Sequence, residues 1–505
     1  MRLSPETGWN LVALTAGAVY PLALAPFHHW WLGILAVALL CGLLHNTSPG
    51  RSFRRGFFFG LGLFAAGASW IYISIHVYGM APPWLAATLT GLFVAGLAVL
   101  FALPFLLYGC LDRRRSLVVL LVFPAIWLLG EWLRGWFLTG FPWLYLGYGA
   151  LDTWLSGWAP LVGVLGLTAA AAFSGTVVTY WLSEHRRTGP AIVALVAAAL
   201  LWGAGWQLQH RSWTEPAGET LKVALVQPDQ PLERKWDRNA LDEILATLTD
   251  LSAGHWDSDL LIWPESAVPQ LRRYVPEYLT AADRLATRHD TALLLGIPTR
   301  EEEQTYNSVL GLGTASGIYH KRHLVPFGEY VPLERWLRGT IHFFDLPMSA
   351  FSGGPGEQDL LRAKGYAIAT AICYEIVYPD LVAADAGDAQ LLLTLSNDTW
   401  FGTSIGPHQH FQMARMRALE NGKPLLRATN DGITAVIDAH GRVRASLPQF
   451  ERGTLVAEVR PHRGGTPFSD HGSLPIIAAA GALLLGGLLF ARRRRTGNDI
   501  VLPSP

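Results

Sequence analysis

Seven apolar stretches, each near the ~20 residues a helix needs to cross a bilayer's hydrocarbon core, fill the first two fifths of this chain. They lie at about 8–25, 30–46, 56–77, 84–110, 116–134, 157–183 and 190–206, and an eighth runs from Pro475 to Ala491. Half of the 505 residues are apolar, only 15% are charged and 20 are Trp, which is too greasy for an ordinary soluble enzyme. The first stretch lacks a small-residue cleavage site and another follows almost at once, so it reads as a span and not as a cleaved signal.

Lys and Arg in short loops stay on the cytoplasmic side. With Arg2 inside, the inside loops carry Arg51, Arg54 and Arg55, then Arg113 to Arg115, then Arg186 and Arg187, and the tail adds Arg492 to Arg495. The outside loops of the membrane region carry only Arg134. Seven spans then place residues 207–474 outside, which in a bacterium is the periplasm, with both termini cytoplasmic. The net charge of zero offers no field for nucleic acid, and no such partner is expected.

From about Leu221 to Val459 the texture changes to short β-rich runs separated by helix-like stretches, the pattern of an α/β domain. The expected organisation is a seven-span membrane domain at 1–206, a linker at 207–220, a catalytic domain at 221–460, a second linker at 461–474, a last transmembrane helix at 475–491 and a cytoplasmic tail at 492–505.

Three passages put a reactive side chain at the end of an apolar strand, where an α/β sheet offers groups to a shared cleft. They are LLIWPESAVP with Glu265, GIYHKRHLVPFGEYVP with Lys321 and Glu329, and AIATAICYEIVYPD with Cys373, Tyr374 and Glu375. Taken singly each has a plain reading: a packed core thiol, a turn carboxylate, a solvated basic cluster. Cys41 and Cys110 fall inside apolar runs, and no Cys/His grouping has metal-ligand spacing, so neither zinc nor another cofactor is implied.

Taken together, WPE, K-x-H-L-V-P-F-G-E and ICYE in that order resemble the nitrilase (carbon–nitrogen hydrolase) superfamily of αββα sandwiches with a Glu-Lys-Cys triad. HLVPFGEYVP beside ICYE, with seven spans before and one after, is similar to the apolipoprotein N-acyltransferase family within it. PLALAPFHHWWLG (21–33) and EWLRGWFLTGFPWLYLGY (131–148) extend the likeness into the membrane region. The implied fold is a multi-pass α-helical membrane domain of eight spans plus an exported nitrilase-like α/β domain.

The chemistry wants these residue types independently. A thiol with a pKa near ~8.5 is mostly protonated at neutral pH and needs a base, a role for Glu265. Negative charge on the attacked carbonyl oxygen wants a fixed cation, a role for Lys321, and the N–H after Cys373 offers a second donor. The resemblance implies two half-reactions. Cys373 takes an acyl chain from a phospholipid, and the α-amine of a diacylglyceryl-modified apolipoprotein then attacks the thioester, in the inner membrane. A monomer is expected. By the same resemblance Glu329 is a second essential carboxylate, Tyr374 and Glu375 follow the nucleophile, and Trp236 in ERKWD touches substrate. An aromatic anchored in the membrane interface is the alternative for Trp236.

Other stretches keep two readings each. Trp400 and Phe401, flanked by Gly402, read either as an apolar flap that keeps water off the thioester or as ordinary loop packing. Arg134 with Trp132, Trp136 and Trp143 reads either as an aromatic belt or as a lipid-access rim where Arg134 meets a phosphate head group. His408 and His410 are spaced poorly for a metal and read as structural or surface residues. The rival functions are a membrane-tethered amidase, a transporter with an accessory domain and an inactive lipoprotein-binding module. The near absence of charge within the spans disfavours the transporter, and the full Glu265, Lys321 and Cys373 set disfavours the inactive module.

Overall fold

The computed structural model describes residues 4–111, 116–183, 189–331 and 350–497. Arg2, Arg113 to Arg115, Arg186 and Arg187 lie outside the described residues, as do the side chains of Arg492 to Arg495. The chain divides into two compact units: Met1–Ser69, Ala87–Arg211 and Ser473–Pro505 in one, Trp70–Ala86 and Ser212–Gly472 in the other.

The first unit is helical. Among the described residues four helices are long and apolar enough to cross a membrane: Pro83–Gly109, Val118–Thr139, Trp154–Leu182 and Gly189–Leu208. A fifth is reached if Pro49–Gly67 and Ile71–Tyr78 count as one broken span. The other expected spans fold as shorter helices. Pro5–Val19 passes into a tight turn at Tyr20–Ala23, and Trp30–Leu43 stops short of Asn46, whose φ of +54° is not helical. The apolar part of the last helix is Leu474–Phe490. Helices Pro5–Val19 and Pro49–Gly67 lie backbone to backbone. A Cβ on Gly17 would run into the Phe59 carbonyl and one on Gly62 into that of Leu14, so only glycine permits this approach.

The second unit is built on two sheets. Its strands are β1 (Glu215–Pro216), β2 (Leu221–Gln227), β3 (Leu260–Trp263), β4 (Ala292–Glu301), β5 (Gln304–Gly313), β6 (Ala315–Ser316), β7 (Ile318–His320), β8 (Leu361–Ala363), β9 (Tyr366–Ile372), β10 (Leu391–Ser396), β11 (Leu425–Thr429), β12 (Ala435–Ile437), β13 (Val443–Ser446), β14 (Gly453–Val459) and β15 (His462–Arg463). Among the described residues one sheet has the order β14-β2-β3-β4-β5-β7 and the other β13-β12-β11-β10-β9-β8-β6, while β1 and β15 form a short ribbon. The central strands β2, β3 and β4 run parallel, as do β9, β10 and β11.

Side chains alternate across each strand with period two. In β2 to β4, Val223, Leu225, Leu260, Ile262, Ala292 and Leu294 face the core between the sheets, which the second sheet completes with Ile368, Ile372, Leu391 and Leu393. Their neighbours Ala224, Leu261, Trp263, Leu293 and Leu295 face outward onto Leu248, Leu279, Ala282 and Ala286 of helices Leu241–Ser252 and Pro276–Arg288. Burial on both faces explains why these strands read as unbroken apolar runs. Helices Pro379–Ala386 and Gly406–Asn421 pack on the second sheet, giving helix, sheet, sheet and helix layers.

Candidate active site

The parallel strands point their C-terminal ends the same way, and the reactive residues sit just beyond them. Glu265 follows β3, Lys321 follows β7, Cys373 follows β9 and Asn397 follows β10. Gly296 in β4 lets the Glu265 turn lie against that strand, because a Cβ there would meet the Pro264 carbonyl and the Ser266 amide.

Glu265, Lys321 and Glu329 are brought together in a buried charge cluster. Lys321 is 1% exposed, with Nζ 3.6 Å from Glu265 Oε1 and 2.8 Å from Glu329 Oε2. Asn307 Nδ2 donates to Glu265 Oε1 at 2.7 Å and to Glu329 Oε1 at 3.1 Å, tying the two carboxylates to one amide. The Asn397 amide donates to Glu265 Oε2 at 2.8 Å, and the Val325 amide to Glu329 Oε2 at 2.9 Å. Burial alone would lower the Lys321 pKa, but Glu329, Glu265 and Cys373 outweigh it and hold the ammonium charged well above its ordinary range.

Cys373 opens a short 3₁₀ turn, Cys373–Val377, directly after β9, and its φ is +52°. A left-handed backbone costs a residue with a Cβ on the order of 1–3 kcal/mol and marks a sharp strand-to-helix elbow. Glu375 braces it. This fully buried carboxylate accepts the Ile372 amide at 2.7 Å, the Arg322 amide at 2.7 Å, the His323 amide at 3.1 Å and the Tyr319 hydroxyl at 3.0 Å. One side chain thus locks the elbow to the segment that carries Lys321. Burial and the Glu265 charge push the Cys373 pKa up, and Lys321 only partly opposes them, so the side chain rests as the thiol. Tyr374 stands beside Tyr378, ring centroids 5.3 Å apart, and burial raises its phenol to about 12.

Some groups at the site escape a reading of the sequence. Lys235 is buried, donates to the Glu265 backbone carbonyl at 2.8 Å and is lowered by burial to about 8. Asn307 lies buried inside β5, between Tyr306 and Ser308, where nothing in the local sequence marks it out. His410 is fully buried, and its Nε2 donates to the Cys373 carbonyl at 3.1 Å. His408 lies elsewhere, with Nε2 3.1 Å from Gln449 Nε2.

One expectation meets a different setting. Arg134 is not on a rim: it is 2% exposed, its guanidinium lies over the Phe64 and Tyr145 rings, and Nη1 donates to the Phe141 carbonyl at 2.9 Å and to that of Trp143. A charge at the end of an apolar helix reads as exposed, but here the following loop folds back and spends the guanidinium on its own carbonyls. Trp143 is likewise buried, whereas Trp136 is exposed. Phe401 is packed, with its ring 4.7 Å from that of Trp70 and 5.9 Å from that of His410. The Trp400 carbonyl accepts from Ser74 Oγ at 2.7 Å and its ring lies 6.0 Å from that of Tyr78, so this turn is tied to the Trp70–Ala86 segment. Trp236 is half-buried, and its Nε1 is sealed from water with no hydrogen-bond partner among the described residues.

Among the described residues no group of His, Cys, Asp and Glu is arranged to hold a metal ion. What the cluster can do is take a proton from a thiol, hold a cation against a developing oxyanion and return the proton to a leaving group.

The Carbon-nitrogen hydrolase family matches residues 222–466, and the Apolipoprotein N-acyltransferase N-terminal domain matches residues 16–177. A Pseudomonas putida protein named apolipoprotein N-acyltransferase is 48% identical over 98% of this chain and 99% of its own length. Proteins of that name from Azotobacter vinelandii and Methylococcus capsulatus are 48% and 41% identical, covering 98% and 97% of this chain and 97% of their own lengths. With identity of this order along nearly its whole length, the chain belongs to the apolipoprotein N-acyltransferase family.

Proposed function

We propose that the protein moves an acyl chain from a membrane phospholipid to the α-amine of the N-terminal S-diacylglyceryl-cysteine of an apolipoprotein, through a thioester on Cys373. The observation that carries this is the cluster of Glu265, Lys321 and Glu329 acting on a thiol held at a strained elbow, in a chain that matches acyltransferases from end to end. In the first half-reaction Sγ attacks the ester carbonyl while Glu265 takes its proton. Lys321 Nζ and the Tyr374 N–H face the oxygen that becomes negative. The carbon–oxygen bond breaks, Glu265 protonates the departing glycerol oxygen, and lysophospholipid leaves.

In the second half-reaction the neutral amine attacks the thioester carbonyl. Glu265 accepts a proton from the attacking nitrogen, the carbon–sulfur bond breaks, and the proton returns to Sγ. Because proton removal from Cys373 and proton gain by Glu265 are coupled, no free thiolate has to persist in a pocket that disfavours it. Trp236 and Trp400 border substrate, and Tyr374 and Glu375 support the nucleophile. The eight apolar stretches cross the inner membrane with both termini cytoplasmic, the catalytic domain of about 221–460 works on the periplasmic side, and one chain suffices. The alternation of arginine-rich and arginine-poor loops supports that orientation.

The test is mass spectrometry of purified protein incubated with phospholipid alone, beside Cys373→Ser. A hydroxylamine-labile acyl group on Cys373 that disappears when a diacylglyceryl-cysteine peptide is added is the expected result. Release of free fatty acid unaffected by the peptide would replace this reading with a tethered hydrolase.

A further inference from the structure

The carbonyl of the nucleophile is held by a fully buried polar relay. His410 Nε2 lies 3.1 Å from Cys373 O, and its Nδ1 lies 3.0 Å from Asp398 Oδ1 and 3.1 Å from Arg427 Nη2. Arg427 Nη2 donates to Asp398 Oδ2 at 2.7 Å, and Ser396 Oγ donates to Asp398 Oδ1 at 2.6 Å. His410 and Arg427 are fully buried and Asp398 is 2% exposed, so the relay is shut away from solvent. A carbonyl oxygen has no proton to give. Nε2 therefore keeps its hydrogen whichever partner Nδ1 engages.

The peptide that follows Cys373 is a rigid plane, with its C=O and N–H pointing to opposite sides. Fixing the Cys373 oxygen therefore aims the Tyr374 N–H. The backbone on the other side of Cys373 is fixed as well, because Glu375 accepts the Ile372 amide. At φ +52° Cys373 sits where β9 gives way to the 3₁₀ turn, and these two grips add to that turn in holding the backbone around it.

We propose that His410 is a positioning residue for acyl transfer: backed by Asp398 and Arg427, it clamps the Cys373 carbonyl and so aims the Tyr374 N–H at the oxyanion. This rests on the thioester reading above. His410 acts through the Cys373 carbonyl. It governs how well the transition state is held and leaves alone how readily the thiol reacts with reagents that form no oxyanion.

Two variants separate the ends of the ring. Asn at position 410 places its amide near where Nδ1 lies, and so keeps the Asp398 side while falling short of Cys373. Gln reaches toward Nε2. The experiment follows acylation of Cys373 by phospholipid in detergent micelles over a single turnover, and alkylation of the same thiol by iodoacetamide, in full-length wild type, His410→Asn and His410→Gln. Loss of a whole oxyanion donor costs ~100–1,000-fold, and mis-aiming one is expected to cost about 10–100-fold in His410→Asn. Alkylation stays within about 2-fold of wild type, KM for phospholipid is unchanged, and His410→Gln recovers most of the rate. If His410→Asn acylates as fast as wild type, or if acylation and alkylation fall together in both variants, the clamp is overturned. If the wild type itself forms no acyl-enzyme, it is the thioester reading that fails.

Discussion

Glu329 turns both carboxylate oxygens to Lys321 Nζ, at 2.9 Å and 2.8 Å. Glu265 approaches the same ammonium no closer than 3.6 Å. In the proposed mechanism this division leaves Glu265 the more available base. It also makes Glu329 the residue that keeps Lys321 from closing onto Glu265 as a tight ion pair.

Glu329→Gln should therefore release Lys321 toward Glu265 and occupy the base. A well-placed general base contributes ~100–10,000-fold, so a partly occupied one is expected to cost about 10–100-fold in kcat. KM for phospholipid should not move, because Glu329 is buried and its carboxylate is taken up by Lys321, Asn307 and the Val325 amide. Glu329→Ala goes further. It leaves a buried ammonium with half its pairing, a loss on the order of 3–5 kcal/mol that thermal unfolding would register. Steady-state kinetics of the Gln variant decide the point: a change confined to KM would count against this division of labour.

A second expectation concerns stability and not rate. Cys373 carries its Cβ at φ +52°, where glycine alone is unstrained. Cys373→Gly should exceed Cys373→Ala in stability by about 1 kcal/mol, as both lose the thiol but only glycine sheds the left-handed penalty. Thermal unfolding of both inactive variants in one detergent measures this. Equal midpoints would mean that the surrounding grips, and not the residue, set the conformation.

Much of the frame was legible along the chain because the signals are local. Val223 to Leu225 and Leu293 to Leu295 read as buried strands, since an inner strand is apolar on both faces, and Glu265, Lys321 and Cys373 interrupt such runs at their ends. The clamp was not legible. His410 meets a carbonyl 37 residues away, and Arg427 meets Asp398 across 29, contacts with no periodic trace. Arg134 misled for a related reason: whether a guanidinium faces lipid or carbonyls depends on where the loop to Trp143 turns, and hydropathy does not carry that. Span lengths were overread at Trp30–Leu43, because an apolar stretch sets an upper bound on a helix and not its end.

The acidity of Cys373 offers a third test. Glu265 raises the Cys373 pKa and Lys321 lowers it, with burial the largest cause. Removing the charge in Glu265→Gln should shift the thiol's alkylation profile to lower pH, so that at neutral pH iodoacetamide reacts faster while acyl transfer falls by about 100-fold or more for want of the base. Opposite movement of the two rates is the signature. A parallel fall in both would show that Glu265 holds the site's shape and not its charge balance.

The last test is the pH dependence of stability at Asp431. This carboxyl is 5% exposed, Oδ1 has no hydrogen-bond partner among the described residues, and burial raises its pKa to about 7, with Asp398 and Asp229 adding to the rise and Thr399 and Lys235 opposing it. In the unfolded chain the same group ionises near ~3.9. Between those values the folded protein keeps a proton that the unfolded chain has lost. Stability should therefore fall as pH rises through that window and level off above 7, at roughly 1.4 kcal/mol per unit where the group acts alone. Asp431→Asn mimics the protonated form. Its unfolding midpoint should lie close to that of wild type near pH 4.5 and climb above it by pH 7.5. The upper limit matters because Lys235, lowered to about 8, contributes with the opposite sign at higher pH. A gap between the two proteins that stays constant from pH 4.5 to 7.5 would mean that Asp431 is ionised in the fold throughout, matched by Lys235.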